Sequence, residues 1–535
     1  MTSNISKIMI LKSVYRNDTV NPVLRSDTIP PSSARIFAYV AALLLLASSH
    51  AFAQETLEKR VKEYTLDNGL RIIVLQRAGS PSFAAYIRFL VGGIDEEAGQ
   101  SGTAHILEHM LFKGSENIGT LDFKKEEPLM KKAEEIGRNI DTEVRKGDKG
   151  DSEKIKRLKD ELGKTLEEQR KYIIKDEISS IYQRGGGSGF NAFTSQDTTT
   201  YLVKLPSNKF ELWAWIESDR LRSPVLREYY SERDVVLEER RRSVDNSPSG
   251  TLYEQYGAAA FQAHPYGNPI IGWSSDISLL PKDKVRKFLQ TYYSPGNMVI
   301  CIVGDIEPDY AYNTIRRYFG DIPRQEIPDR VGTKEPMQKG ERRIMVEFDA
   351  NPEAMIGFHK PPVPHKDDYV FDVINYILTS GRTGRLYRSL VLEKGIAVSV
   401  DAWTGPGDRG GNLFNFHAVP RSPHTVAEVE KAIYDELEKL KTEPVSLREL
   451  EKITNNVEAD YIRKLKSNSG LAHYISSYAI LLGDWRYMTT YSDRIKEITA
   501  EDIMAVATKY FTKNNRTVAI LVRPEGKTPE KKASK

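Results

Sequence analysis

The sequence predicts an α+β protein of two homologous domains, each a mixed β-sheet packed with helices, arranged as a clamshell. Two observations predict this. Residues 280–303 (LPKDKVRKFLQTYYSPGNMVICIV) and 498–521 (ITAEDIMAVATKYFTKNNRTVAIL) align without a gap, pairing Leu280 with Ile498, Tyr292 with Tyr510 and Asn297 with Asn515. Each reads as a helix, a turn and a buried strand. Strand-like and helix-like patterns also interleave along the rest of the chain. At 535 residues and 40% hydrophobic, the chain is long enough for two substantial cores.

Residues 1–53 read as an N-terminal extension and signal peptide. The apolar run IFAYVAALLLLAS at 36–48 follows Arg35, and Ala51-Phe52-Ala53 is an A-x-A cleavage pattern before Gln54. The run is too short for a comfortable membrane span, so cleavage after Ala53 and a periplasmic or secreted location are expected, with no stable span afterwards. The formal net charge is +3, but residues 1–53 carry five of the 77 basic residues and two of the 74 acidic ones. The mature chain is therefore neutral, which argues against nucleic acid as a partner.

Residues 54–319 read as the catalytic domain. Strands at 70–75 and 84–91 precede His105-Ile106-Leu107-Glu108-His109. Two histidines four apart on a helix share one face, so both imidazoles can reach one metal ion. Glu108 lies three after His105, on the same side. The order H-x-x-E-H is the inverted zincin motif and predicts a zinc peptidase with one Zn²⁺ per chain. Catalytic zinc takes three protein ligands and leaves a position for water, so a third ligand must come from elsewhere.

Residues 231–245 (SERDVVLEERRRSVD) supply it. They read as a helix on which Glu232 and Glu239 share a face, with Val235 and Val236 in the same stripe. Carboxylates on an inward, apolar stripe are costly unless paired or bound to metal. Glu238 points about 100° away from Glu239. Glu239 is therefore the expected third ligand, and Glu232 an auxiliary acid or a group that orients a ligand.

Between these motifs, residues 124–177 read as a charged insertion. Apolar residues at helical spacing flank a turn at 147–150, which predicts a helical hairpin projecting from the body and either solvated or contacting a partner. Residues 185–189 (GGGSG) form a turn before a strand, and with no Gly-Lys-Ser/Thr after them they are not a phosphate loop. Cys301 is the single cysteine and sits in an apolar run, which predicts a buried structural thiol. No G-x-S-x-G elbow is present.

A polar, proline-dotted linker spans 320–338. The homologous non-catalytic domain follows at 339–525, with strands at 343–348 and 354–359 and a helix at 369–378 that holds no histidine. Residues 526–535 read as a disordered tail.

The ordered segments GTAHILEHMLFKGS, GFNAFTSQDTTTYLVKLP, IESDRLRSPV, ERDVVLEER and HPYG give the chain a resemblance to the pitrilysin/insulinase family of zinc peptidases. The resemblance implies that His105, His109 and Glu239 bind zinc and that Glu108 is the general base acting on the zinc-bound water. It also implies that the strand holding Asn191, Ala192 and Phe193 is an exposed edge, to which an extended peptide adds as a further strand.

The chain departs from that family at one place. In the family's second domain an Arg and a Tyr often help bind substrate, and here Val391 and Val398 stand at those positions. Either this chain does without the pair, or it forms a heterodimer in which a homologous subunit supplies it. The rival is a non-catalytic or scaffold subunit of an envelope complex. Peptides are the expected substrates in the first case.

Overall fold

Strand β1 (Val61–Thr65) pairs antiparallel with β2 (Arg71–Gln76), and β3 (Ser82–Phe89) follows. After these come helix α1 (Thr103–Met110), the long pair α2 (Phe123–Val144) and α3 (Ser152–Arg170), and α4 (Glu177–Arg184). The hairpin of β4 (Ser188–Thr194) and β5 (Thr199–Pro206) leads to α5 (Phe210–Arg222), α6 (Tyr229–Arg240) and α7 (Pro248–Ala260). Helix α8 (Lys282–Tyr292), strand β6 (Met298–Gly304) and α9 (Pro308–Phe319) end the first half. The second half runs β7 (Arg342–Glu347), β8 (Glu353–Lys360), α10 (Lys366–Thr379), β9 (Ala397–Gly405) and β10 (Asn412–Pro420). It closes with α11 (Val426–Thr442), α12 (Leu447–Lys466), α13 (Asn468–Leu481), α14 (Tyr487–Lys496), α15 (Ala500–Tyr510) and β11 (Arg516–Val522). This computed structural model describes residues 57–524, so the signal peptide and tail read from the sequence lie outside the described residues.

The duplication is visible in the sheets. The first has the order β1-β2-β6-β3-β5-β4 and the second β7-β11-β8-β10-β9. Leaving out β1, the two orders superpose strand for strand. In each, the repeat's last strand pairs parallel with its first and antiparallel with its second. Strand β1 was not foreseen: it is a mostly exposed edge with a single buried residue, Val61, so it lacks the alternation that marks a half-buried strand.

One face of each sheet carries that half's own helices. Phe83, Ala85, Ile87 and Phe89 of β3 join α1, α5 and α8 in the first core, and Phe358, Phe414 and Phe416 join α10, α11 and α15 in the second. The opposite faces are covered reciprocally. Helix α13 of the second half lies on β3 and β6, where Arg88 is buried and donates to Ser476 and pairs with His473. Helix α7 of the first half lies on β7, β8 and β11. Its Tyr256 donates to Asn415 at 2.6 Å and comes so close to Gly357 that a Cβ there would lie 1.6 Å from the hydroxyl oxygen. From Glu58 onward the chain is accordingly one compact unit.

A polar latch also joins the halves. Arg409, in the β9–β10 loop, donates to Asp95 at 2.7 and 3.0 Å. Asp197, in the β4–β5 turn, accepts from the Asp408 backbone and from the Tyr266 hydroxyl. The segment read as a linker has no helix or strand but is packed. Arg330 donates to the Leu90 carbonyl, and Glu335 accepts from the backbone of Gln262, Ala263 and His264.

Two expectations are corrected. The 124–177 hairpin is helical, but it does not simply project. Glu126, fully buried, binds Arg227, and Asp141 binds Arg233, so one of its faces is docked through ion pairs. Removing one partner from such a buried pair leaves an uncompensated charge. The Val235–Val236 stripe is also split: Val236 is buried while Val235 is 51% exposed. A helix turns by 100° per residue, which carries Val235 off the packed side of α6 while Val236 stays on it.

Candidate metal centre

Helix α1 is pinned to the first core by Ile106, Leu107 and Met110, all fully buried. Its N-terminus is held by Glu96, whose carboxylate accepts from the backbone of Gly102 at 3.0 Å and Ala104 at 2.8 Å. A carboxylate there satisfies otherwise unpaired N–H groups. His105 and His109 project from one side, ring centroids 4.7 Å apart.

Helix α6 runs alongside and continues as a π-type turn through Arg241–Asp245. Glu239 faces both imidazoles, 3.8 Å from His105 Nε2 and 3.5 Å from His109 Nε2. Ligand atoms of these three residues all lie within 4.8 Å of one another. No other such grouping of three or more His, Cys, Asp or Glu side chains occurs among the described residues. Glu238 turns away and pairs with Arg241 and Arg242.

Glu232 stands behind His109, Oε1 3.0 Å from Nδ1, and its other oxygen binds Lys113. Burial acts to raise its pKa, but hydrogen bonds from His109 and Lys113 outweigh that and hold it at about 2. An ionised carboxylate only accepts, so His109 donates through Nδ1 and Nε2 is the nitrogen left facing Glu239, to bind a metal once its proton is displaced. Burial and the neighbouring His109 push His105 down to about 4, which keeps it neutral. Two imidazole nitrogens and one carboxylate oxygen are a donor set that suits zinc.

Glu108 is buried on the sheet side of α1, where Thr194 at the end of β4 donates to it at 2.5 Å. Burial raises its pKa and the Thr194 hydrogen bond partly offsets this. Strand β4 is the edge of its sheet, paired only with β5. Asn191 and Glu108 line a cavity of about 290 Å³ together with His109, Phe112, Lys113 and Glu232. Ala192 is buried, and Phe193 lies under the Arg88 guanidinium, 5.5 Å from its ring centroid.

The sequence did not single out Lys113, Thr194, Glu96, Phe112 or Arg88 around this cluster. Lys113 lies four after His109 and Thr194 sits in the edge-strand segment, so a helical wheel and a strand register signal both. Glu96 carries no pattern that separates it from a surface acid. Val391 is half-buried in a π-type turn, Tyr387–Glu393, and Val398 is 55% exposed on β9. Cys301 is buried in β6, and burial pushes its thiol well up, so it is inert.

The family described as "Insulinase (Peptidase family M16)" matches residues 71–139 and 170–273, and "Peptidase M16 inactive domain" matches 280–457. The break at 140–169 falls in the α2–α3 hairpin. Zinc protease PqqE of Helicobacter pylori is 27% identical over 92% of this chain and 99% of that protein. The crystal structure of a protease from Helicobacter pylori matches 87% of this chain and 99% of that one with a TM-score of 0.73 and 27% identity. The periplasmic protease PqqL of Escherichia coli shares the fold at 16% identity and a TM-score of 0.63, and the chain covers 48% of its length.

Proposed function

The chain belongs to the insulinase peptidase family, M16, and from that premise we propose that it is a zinc-dependent endopeptidase cleaving extended or unfolded peptides. The observation that carries the proposal is the convergence of His105 Nε2, His109 Nε2 and the Glu239 carboxylate, with Glu108 beside them and a free sheet edge alongside. His105, His109 and Glu239 are the proposed ligands. Zinc held there supplies a Lewis acid that polarises the scissile carbonyl and brings a water's pKa to about 7.

Glu108 then takes a proton from the attacking water and passes it to the departing amine as the C–N bond breaks. Glu232 fixes the tautomer of His109 rather than donating a proton, because it is held ionised. Asn191 and the backbone of Ala192 and Phe193 receive the substrate as a further antiparallel strand, which selects unfolded segments.

A second, homologous subunit facing this site completes the proposal. Val391 and Val398 offer no cationic or hydroxyl group to substrate, and the PqqL chain is about twice as long as the part this chain covers. The N-terminal apolar run supports export to the periplasm. The scaffold reading rests on the same two valines and needs no catalysis.

The test is cleavage of an unstructured peptide library by the zinc-loaded mature chain, alone and with whatever homologous subunit co-purifies. Cutting in either preparation, abolished by Glu108→Gln, supports the peptidase. Zinc-loaded protein that never cuts, with or without the second subunit, supports the scaffold.

A further inference from the structure

Glu239 holds its place through the backbone of α6 alone. Its side chain is 46% exposed, and its carboxylate pairs with the two histidines and with no other cationic side chain among the described residues. Something must therefore fix how α6 is rotated about its own axis. A helix rotated by one residue's 100° would carry Glu239 away from the imidazoles.

The sequence of α6 repeats a unit at a spacing that keeps one face. Glu232-Arg233 recurs seven residues later as Glu239-Arg240. In both places the glutamate faces the histidines and the arginine is buried on the neighbouring side. Arg233 donates to Asp141 at 3.0 Å through each of its two terminal nitrogens. Arg240 donates to Glu254 at 2.5 and 2.9 Å in the same end-on manner. In both guanidiniums Nε has no partner. Each arginine also reaches one backbone carbonyl, Leu280 for Arg233 and Gly272 for Arg240.

The two carboxylates come from different elements. Asp141 lies on α2, in the stretch the family match leaves out, and Glu254 lies on α7. Helix α2 presses on α6 closely enough that a Cβ on Gly137 would lie 2.0 Å from the Tyr230 ring. We propose that Asp141–Arg233 and Glu254–Arg240 are paired positioning clamps for the metal centre. They set the rotation of α6 so that Glu232 meets His109 Nδ1 and Glu239 meets both Nε2 atoms. The charged hairpin is thereby part of the machinery that shapes the site, through residues that touch neither metal nor substrate. This rests on the metal-binding reading above.

The measurement is the zinc dissociation constant of the mature chain by chelator competition, read beside the melting temperature of the metal-free protein. Asp141→Asn and Glu254→Gln keep shape and an acceptor while removing the charge. Asp141→Ala removes the first clamp outright, and Glu254→Ala leaves Arg240 a single ion pair, its 3.3 Å contact with Asp245. Zinc affinity is expected to fall about 10–100-fold in the alanine variants, the usual cost of losing support behind a ligand. The swaps Asp141→Arg with Arg233→Asp, and Glu254→Arg with Arg240→Glu, are expected to recover most of it. A merely structural role would lower the melting temperature and leave the zinc affinity of the folded protein within twofold of wild type, and that result overturns the proposal. If an alanine variant does not fold, the Asn or Gln variant decides by the same reading. Wild type that binds no zinc overturns the metal reading itself, a separate outcome.

Discussion

Nδ1 of His109 lies 3.0 Å from Oε1 of Glu232, and this contact ties a proposed metal ligand to an ionised carboxylate that is itself paired with Lys113. The imidazole is thereby held in one tautomer and one orientation. Glu232→Ala should weaken zinc binding about 10–100-fold and leave the fold intact. With zinc in excess, much of the peptidase activity should return. Activity that stays absent at saturating zinc would instead assign Glu232 a direct part in the reaction.

Glu108 contributes nothing to the three-ligand cluster, so its loss separates chemistry from metal binding. Glu108→Gln should bind zinc with wild-type affinity and cut peptides about 10²–10⁴-fold more slowly. Zinc content by atomic absorption and turnover of a quenched-fluorescence peptide check the two halves of this statement. A variant that keeps more than a tenth of the wild-type rate would remove Glu108 from the role of base.

The two histidines should compete with protons very differently. Burial and His109 push His105 down to about 4. Burial opposes the charged form of His109 too, but Glu232 and Glu239 outweigh it and raise its pKa above the ordinary value. Between pH 5 and the His109 pKa, zinc must therefore displace one proton, not two. Its affinity should rise about tenfold per pH unit there and then level off. A hundredfold rise per unit would mean that both rings are protonated in the metal-free protein.

The latch between the halves should be costly to break. The Asp95 side chain is 2% exposed and that of Arg409 is 11% exposed. Asp95→Ala leaves the Arg409 cation buried, and Arg330 loses the same partner. A loss of about 3–5 kcal/mol is expected in denaturant unfolding. A change under about 1 kcal/mol would show that water reaches Arg409 in the variant.

The sequence carried the site well because its signals are local. A four-residue spacing on α1 and a seven-residue spacing on α6 survive folding unchanged, and the side chains they pick out lie together. The choice of Glu239 over Glu238 followed from helix geometry, and in the structure Glu238 pairs with Arg241 and Arg242. The duplicated helix-turn-strand units likewise foretold two sheets of matching order.

What stayed hidden depends on distant partners. Helix α2 looks solvated because Glu126 and Asp141 are charged, and nothing in the chain announces that Arg227 and Arg233 will bury them. Strand β1 escaped because an exposed edge has no hydrophobic alternation to read. Glu96 looks like any surface acid until the α1 N-terminus comes to rest on it.

The exchange of α7 and α13 sets an order on how the molecule can be made. The first sheet has all its own helices once Phe319 is made, but its other face is covered by α13, which ends at Leu481. Until that residue has left the ribosome, Ala84, Tyr86 and Arg88 of β3 have no second layer to pack against. The candidate ligands, all present once Glu239 is made, thus wait on a half-clad sheet until Leu481 follows. A finished site belongs only to a nearly finished chain, so a truncated product that carries the whole H-x-x-E-H motif is still an incomplete protein.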